Sequence, residues 1–395
     1  MPDEHLIRRL LLPELQFVRT SFVPGSYTTD IHVEKDSTME VCPRCARPAD
    51  SVYDHRTVVV KDSPIRDSHV KLNIRKRRFY CKACRKPFTE PVPGIKKYAR
   101  TTERYRRSVL WACEKFSDLR AVRSTYRCSG GFLYNTLYTQ LELERRKRLY
   151  PWPRVLGIDE HFFKHNRRLR TRDFVSILVD YKGKRVMEVV EGRSSAELET
   201  ALAHIPGREN VQHAIVDLCD PFKNFVRSFF PTATLTADKF HVLRLLSPAI
   251  NRRRKAITGD RRSLTVRRWL LRNGKDLLPM KRFLLNRWLE GFPELQEVYH
   301  AKEALHGFYR IRGQRRAEYA LTAMTDRMAL SKLPEIQTLR RTLIKWRKEI
   351  LAYFGTRLTN GRTEGFNTKA KLVKRRAYGY RSFKNYRLRL LHACA

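Results

Sequence analysis

Apolar runs of four to eight residues bounded by turn formers mark buried strands, and the chain from residue 151 onward carries several. Val155-Leu156-Gly157-Ile158 is the first, bounded by Pro151 and Pro153 and delivering Asp159 and Glu160 at its end. Residues 174–179 and 185–190 follow as two more strands, joined by Asp180-Tyr181-Lys182-Gly183-Lys184, whose Asp and Gly suit a hairpin turn. A helical pattern over 196–205 comes after Ser194 and Ser195. Ala214-Ile215-Val216-Asp217 then repeats the first pattern, an apolar strand ending in a carboxylate. Residues 222–230 read as a helix that Pro231 ends, and 234–236 as a short strand leading into Asp238-Lys239-Phe240-His241. Beyond His241 the spacing is helical almost throughout, over 242–255, 263–272, 280–290, 294–305, 307–324 and 335–351.

The first 150 residues are patterned differently. Residues 1–38 offer a short helix over 4–12 and little else. The apolar stretches 58–60 and 70–74 suit the arms of a hairpin, and Pro91-Val92-Pro93-Gly94 reads as a linker. Residues 102–116, 118–126 and 132–145 form three helical segments, with Thr102 and Ser117 placed as caps. The short connection Arg127-Cys128-Ser129-Gly130 suits a helix-turn-helix, whose second helix enters the major groove of DNA. Gly130 and Gly131 weaken the start of that helix, and a plain three-helix bundle is the alternative. The expected divisions are therefore 1–38, 39–92, 93–150 and 151–395, the last with a helical insertion at about 245–355.

Charge changes the picture from fold to partner. The 395 residues hold 82 Lys and Arg against 40 Asp and Glu, a formal charge of +42 spread over the whole length. Such an excess points to a polyanion, nucleic acid by default, because neutralising phosphates releases counterions; a merely basic surface is the bland alternative. No segment has the roughly 18 consecutive apolar residues of a membrane span, and the N-terminus lacks a signal-peptide core, so a cytoplasmic location is expected. Eight cysteines in such a chain suggest metal ligands or buried thiols. Cys42-Pro43-Arg44-Cys45 and Cys81-Lys82-Ala83-Cys84 have the spacing that lets two tight turns close a zinc tetrahedron, with His55 or His69 as substitute ligands. Zinc would then replace a core that a small module cannot build. Cys113 and Cys128 have no partner at ligand spacing and read as packed thiols.

Three meandering strands followed by alternating helix and strand is the order of an RNase H-like sheet. In it the first and fourth strands are neighbours, so Asp159 and Asp217 would face each other and could share divalent ions. A third carboxylate is sought far down the chain, in Thr359-Asn360-Gly361-Arg362-Thr363-Glu364-Gly365-Phe366-Asn367, just before the basic run Lys369, Lys371, Lys374, Arg375 and Arg376. The strand bearing Asp159, the Asp217 strand, Asp238-Lys239-Phe240-His241 and the tail from Asn360 through Arg376-Ala377-Tyr378-Gly379-Tyr380 together resemble the DDE transposases of bacterial insertion sequences, more narrowly the ISL-three group, over roughly residues 40 to 392.

The resemblance implies an α/β architecture: an RNase H-like catalytic core with a large all-helical insertion, preceded by a zinc-binding module and a helix-turn-helix. It implies Asp159, Asp217 and Glu364 as ligands of Mg²⁺ or Mn²⁺, the ions activating a water or a DNA 3′-hydroxyl for phosphoryl transfer. Asp238 and His241 match the family's acid-x-x-His pattern and are placed behind the ligands as supports, with Asp238 in place of Asp217 as the competing assignment. The expected DNA contacts are Arg127, Tyr134 and Asn135 in the helix-turn-helix, Arg252, Arg253 and Arg254 in the insertion, and the basic run after Glu364. Trp269, Trp288 and Trp346 either stack bases or fill the core. The implied partners are terminal inverted repeats and target DNA, bound by a homodimer or higher oligomer associated with the nucleoid. A catalytically dead regulator of the same build, or a junction or hybrid nuclease, are the alternatives.

Overall fold

The computed structural model describes residues 11–22, 25–65, 68–115, 118–166, 171–259 and 265–395. Most of the helix expected over 4–12, the cap Ser117, and Arg261, Arg262 and Ser263 of the insertion lie outside the described residues. The chain divides into two compact units, Met1–Leu143 and Glu144–Ala395.

In the first unit β1 (Leu15–Phe22), β2 (Thr28–Lys35), β5 (Val52–Ile65) and β6 (Ser68–Cys81) form a sheet in the order β1-β2-β6-β5, and β7 (Lys86–Thr89) also pairs with β6. The expected hairpin is present, with Val58 opposite Ile74. The stretch before residue 38 is richer than its pattern suggests: β1 and β2 belong to this sheet, β2 running parallel to β6. Leu15, Ile31, Val33, Val60, Val70, Leu72 and Ile74 are buried together, so the module has a core of its own beside its cysteines. The expected linker is part of that core through Val92, and a Cβ on Gly94 would meet Leu12 at 3.2 Å. The short strands β3 (Glu40–Val41) and β4 (Pro48–Ala49) pair around the first cysteine turn.

Three helices follow, α1 (Glu103–Lys115), α2 (Leu119–Thr125) and α3 (Gly130–Lys147). Thr102 Oγ1 accepts from the Tyr105 N–H at 3.1 Å and so caps α1, as expected. Asp118 caps α2, accepting from the Ala121 N–H at 2.8 Å. Both glycines lie inside the first turn of α3, where the Ser129 hydroxyl accepts from the Phe132 N–H at 3.2 Å.

The second unit carries β8 (Val155–Asn166), β9 (Thr171–Asp180), β10 (Arg185–Glu191), β11 (His213–Val216) and β12 (Thr234–Ala237) in the order β10-β9-β8-β11-β12. The first three strands are antiparallel neighbours, while β11 is parallel to both β8 and β12. The connections are α4 (Ser195–Leu202), closed by a Ser194–Glu197 capping box, and α5 (Asp220–Phe229). Then come α6 (Lys239–Leu243), α7 (Ser247–Thr258), α8 (Thr265–Leu271), α9 (Pro279–Glu290), α10 (Pro293–Phe308), α11 (Gln314–Ala329), α12 (Pro334–Lys345), α13 (Arg347–Thr356), α14 (Gly361–Arg376) and α15 (Phe383–Ala393). Three of the long helical runs are broken. Pro248 opens α7 instead of continuing α6. Gly313, at φ 89, delays the helix expected from 307 until Gln314. Trp346 separates α12 from α13 and is buried, which assigns it to the core. Trp269 and Trp288 pack partly buried against the same core. Helices α14 and α15 cover one face of the sheet, Phe366, Ala370, Tyr386 and Leu390 packing on Phe163, Val175, Ile177 and Val179.

Candidate active site and metal centre

Strand register sets the site. Ile215 of β11 pairs with Gly157 of β8, and Val216 pairs with Ala237 of β12. Two residues on from the first pair stand Asp159 and Asp217; one residue on from the second stand Asp217 and Asp238. Three carboxylates therefore lie in one row across three parallel strands, with side chains of like register on one face. Asp159 is not at the tip of its strand, however. β8 continues to Asn166 against β9, with Asp159 opposite Ile177, and it is β11 that stops. Asp159 thus sits on paired backbone at the mouth that the end of β11 opens.

Burial, and then the charge of Asp217, push the Asp159 carboxyl up to about 8. A pair that resists ionising together is what a divalent cation relieves, and oxygen donors suit Mg²⁺ or Mn²⁺, so the residues fit such a group. Asp238 is fully buried and engaged on both oxygens, Oδ1 accepting from the Asn360 N–H at 2.8 Å and Oδ2 from the His241 N–H at 3.3 Å, which caps α6. His241 Nδ1 lies 2.9 Å from Asp217 Oδ1 and 3.0 Å from Asp238 Oδ2. Burial opposes charge on that ring, but its bonds to the two carboxylates prevail and raise it to about 10. Asp217, Asp238 and His241 also come within 4.8 Å of one another, the closeness of a metal site. A single Nδ1–H shared by two carboxylates is nevertheless a donor's arrangement, whereas ligation needs that nitrogen's lone pair.

Glu364 stands in the first turn of α14 with its side chain about one-third exposed, Oε1 3.6 Å from Arg244 Nη1. Among the described residues no hydrogen bond or ion pair joins it to Asp159 or Asp217. Its helix is nonetheless fastened to them. Asn360 Nδ2 donates to Ile158 O at 3.0 Å and approaches Asp217 Oδ1 at 3.5 Å, and Asn367 Nδ2 donates to Asp159 Oδ2. Close approach requires Gly157, where a Cβ would overlap Thr363 Oγ1.

The second cluster is made of sulfur. The Sγ atoms of Cys42, Cys45, Cys81 and Cys84 lie within 4.8 Å of one another, Cys45 3.6 Å from Cys81 and Cys42 4.0 Å from Cys84. Tetrahedral zinc with Zn–S of about 2.3 Å places its sulfurs about 3.8 Å apart. Each pair ends on a left-handed residue, Ala46 at φ 56 and Arg85 at φ 50, which turns the chain back after the second thiol. The Arg44 backbone N–H is the first cause holding Cys42 down to about 7, while hydrogen bonding with Cys45 leads in pushing Cys84 up to about 12. Neighbouring thiols resist ionising together, and a bound dication removes that resistance. Neither His55 nor His69 is in the cluster.

Residues 156–390 match the ISL3 family model described as "Transposase", and residues 39–84 match "zinc-finger of transposase IS204/IS1001/IS1096/IS1165". The chain belongs to the ISL3 family of DDE transposases. It is 24% identical over 383 residues to the transposase for insertion sequence element IS1001 of Bordetella parapertussis, covering 93% of this chain and 91% of that one. It is 22% identical over 411 residues to the transposase for insertion sequence element IS1557 of Mycobacterium tuberculosis, covering 95% and 90%. The zinc-finger match and the four-thiol geometry together make Zn²⁺ the structural ion of the first unit.

In this ISL3 transposase the basic residues singled out for DNA divide by what they already hold. Arg252, Lys369, Lys371, Arg375 and Arg376 are exposed, as are Tyr134 and Asn135 on α3, where Tyr134 stacks on Tyr138. Arg127 Nη1 donates to Ser26 O at 3.2 Å. Three others are committed to the fold. Arg253 pairs with Glu294 and Glu335, Arg254 is buried with Nη1 donating to Thr258 Oγ1 and Gly259 O, and Lys374 Nζ donates to Phe162 O and Phe163 O at 2.6 Å. Sequence patterning gave no role to Asn360, Asn367 or Arg244. Only a helical-wheel reading of Asn360, Thr363 and Asn367, spaced three and four apart, shows that they share one face. No helix among the described residues is long and apolar enough to cross a membrane.

Proposed function

We propose that the protein binds the ends of an insertion element and catalyses metal-dependent strand cleavage and strand transfer. In this proposal the second unit is an RNase H-like core with a helical insertion, and α2 and α3 are a helix-turn-helix that contacts element ends through Arg127, Tyr134 and Asn135. The observation that carries it is the juxtaposition of Asp159 and Asp217, two buried carboxylates at the mouth of the sheet, where burial and then the charge of Asp217 raise the proton affinity of Asp159. Mg²⁺ or Mn²⁺ bound there would activate a water or a DNA 3′-hydroxyl and stabilise the leaving oxygen. Asp159, on paired strand backbone, and Asp217, just past the end of β11, would hold the ions. Glu364 completes the set by leaving Arg244, an exposed pairing that costs little to break. Asp238 and His241 hold Asp217 in place, and Lys369, Lys371, Arg375 and Arg376 take the phosphates. The setting proposed is the bacterial cytoplasm at the nucleoid, with a dimer or larger assembly holding both ends.

Asp159→Asn, Asp217→Asn and Glu364→Gln should each abolish cleavage and strand transfer while end binding persists, whereas Asp238→Asn lowers activity without ending metal binding. Near-normal cleavage by Asp217→Asn beside a dead, metal-free Asp238→Asn would overturn the assignment of the second acid. Joining of pre-cut ends to target DNA separates a transposase from a nuclease of the same fold, and absence of any metal-dependent nicking would leave only a DNA-binding regulator.

A further inference from the structure

Behind Asp159 lies a line of buried polar groups that the proposed reaction does not use. Asp159 and His161 stand two apart on β8 and so share a face of that strand. His161 Nε2 lies 2.6 Å from the hydroxyl of Tyr386, which is fully buried on α15 in an otherwise apolar cluster. The Tyr386 hydroxyl has no other hydrogen-bond partner among the described residues, so its proton is satisfied only when the ring nitrogen accepts from it. A neutral imidazole has one acceptor and one donor nitrogen, so if Nε2 accepts, Nδ1 carries the proton. His161 Nδ1 and Asn367 Oδ1 are both buried with no hydrogen-bond partner among the described residues, and the Asn367 side chain stands beside that ring, where it favours a proton on it. With its oxygen turned to His161, the amide presents Nδ2 to Asp159 Oδ2, the bond observed. The other oxygen, Oδ1, accepts from the Glu160 N–H at 2.7 Å.

We propose that Tyr386, His161 and Asn367 form a buried hydrogen-bond relay that sets the orientation of the Asp159 carboxylate. The tyrosine hydroxyl selects the ring tautomer, the tautomer selects which end of the amide faces forward, and the amide N–H fixes Asp159 Oδ2. Reversing any link would turn an oxygen toward the carboxylate and push it aside. These are positioning residues, each acting on the ion only through Asp159, and the proposal rests on Asp159 being a metal ligand.

The test measures Mn²⁺ affinity of the zinc-loaded full chain by electron paramagnetic resonance of free Mn²⁺, alongside joining of pre-cut ends and thermal unfolding. Asn367→Leu, close in size, should weaken Mn²⁺ binding about tenfold, as loss of an orienting partner does. Tyr386→Phe, which keeps the ring and its packing, should weaken it about threefold. In the Asn367→Leu background Tyr386→Phe should have no further effect, because the relay is already cut. Wild-type Mn²⁺ affinity and joining in Tyr386→Phe, whatever its melting temperature, would overturn the relay, and so would multiplicative losses in the double variant. If Asp159→Asn itself leaves Mn²⁺ affinity unchanged, the metal reading beneath the relay is what fails.

Discussion

At Gly157 the strand bearing Asp159 meets the helix bearing Glu364 with no room for a methyl group, since a Cβ would overlap Thr363 Oγ1 and sit 3.0 Å from Asn360 Oδ1. Thr363 and Asn360 are fully buried, so neither can swing into solvent. Gly157→Ala should therefore displace α14, destabilise the protein by about 1 to 3 kcal/mol and lower strand transfer more than stability alone explains. Thr363→Ala removes the clashing oxygen and should restore part of both in the double variant. Wild-type melting and activity in Gly157→Ala would show that the helix does not sit so close. Asp159 and Asp217 are legible in sequence because each follows an apolar run in a strand order that makes neighbours of them. Asn360 and Asn367 are not, since their partners Ile158 and Asp159 lie 202 and 208 residues away and an asparagine in a polar helix looks like any solvated residue.

The elements of the sheet are legible where apolar runs are short and bounded, and the strand order follows from them. β1 escapes because most of its residues are exposed and show no clean alternation. The breaks at Gly313 and Pro248 carry visible signals, while that at Trp346 carries none, a helical-looking residue closing one helix and opening the next. The zinc turns are legible from spacing, but not what depends on them. A module without a core would collapse on losing its metal; this one buries Val60, Val70, Leu72 and Ile74 beneath β2, β5 and β6. Cys81→Ser should accordingly release zinc and loosen residues 40–49 and 81–89, while the amides joining β2 to β6 stay protected from hydrogen exchange. One zinc per chain by metal analysis, falling toward zero in the variant, is the expected reading. Native protein without zinc, or uniform loss of protection through the whole sheet, would contradict it.

Across the whole molecule, charge is divided between holding the fold and facing outward. Several acids are buried against bases that serve the structure: Asp62 with Arg104, Glu90 with Arg77, Glu188 with Arg387, and Glu349 with Lys223. Each such pair cancels within the protein, so the excess of +42 is carried by the remaining bases, most of which face outward. A polyanionic partner is thus legible from composition alone, although which bases serve it is not: Arg252, Arg253 and Arg254 are consecutive, yet only the first is exposed. Neutralised phosphates release condensed counterions, and the logarithm of affinity then falls linearly with the logarithm of salt. If about six to ten phosphates are neutralised, nonspecific duplex binding should fall by about 10³ to 10⁵ between about 50 and 200 mM salt. Replacing exposed Lys369, Lys371 and Arg375 together by Gln should make that slope shallower by about 0.9 for each phosphate left without its cation. The same change at the committed Arg254 should instead appear as a lower melting temperature with the slope unchanged. Fluorescence anisotropy across a salt series reads the slope and a thermal melt reads the stability, and a flat salt profile for the native protein would mean that its positive charge faces something other than DNA.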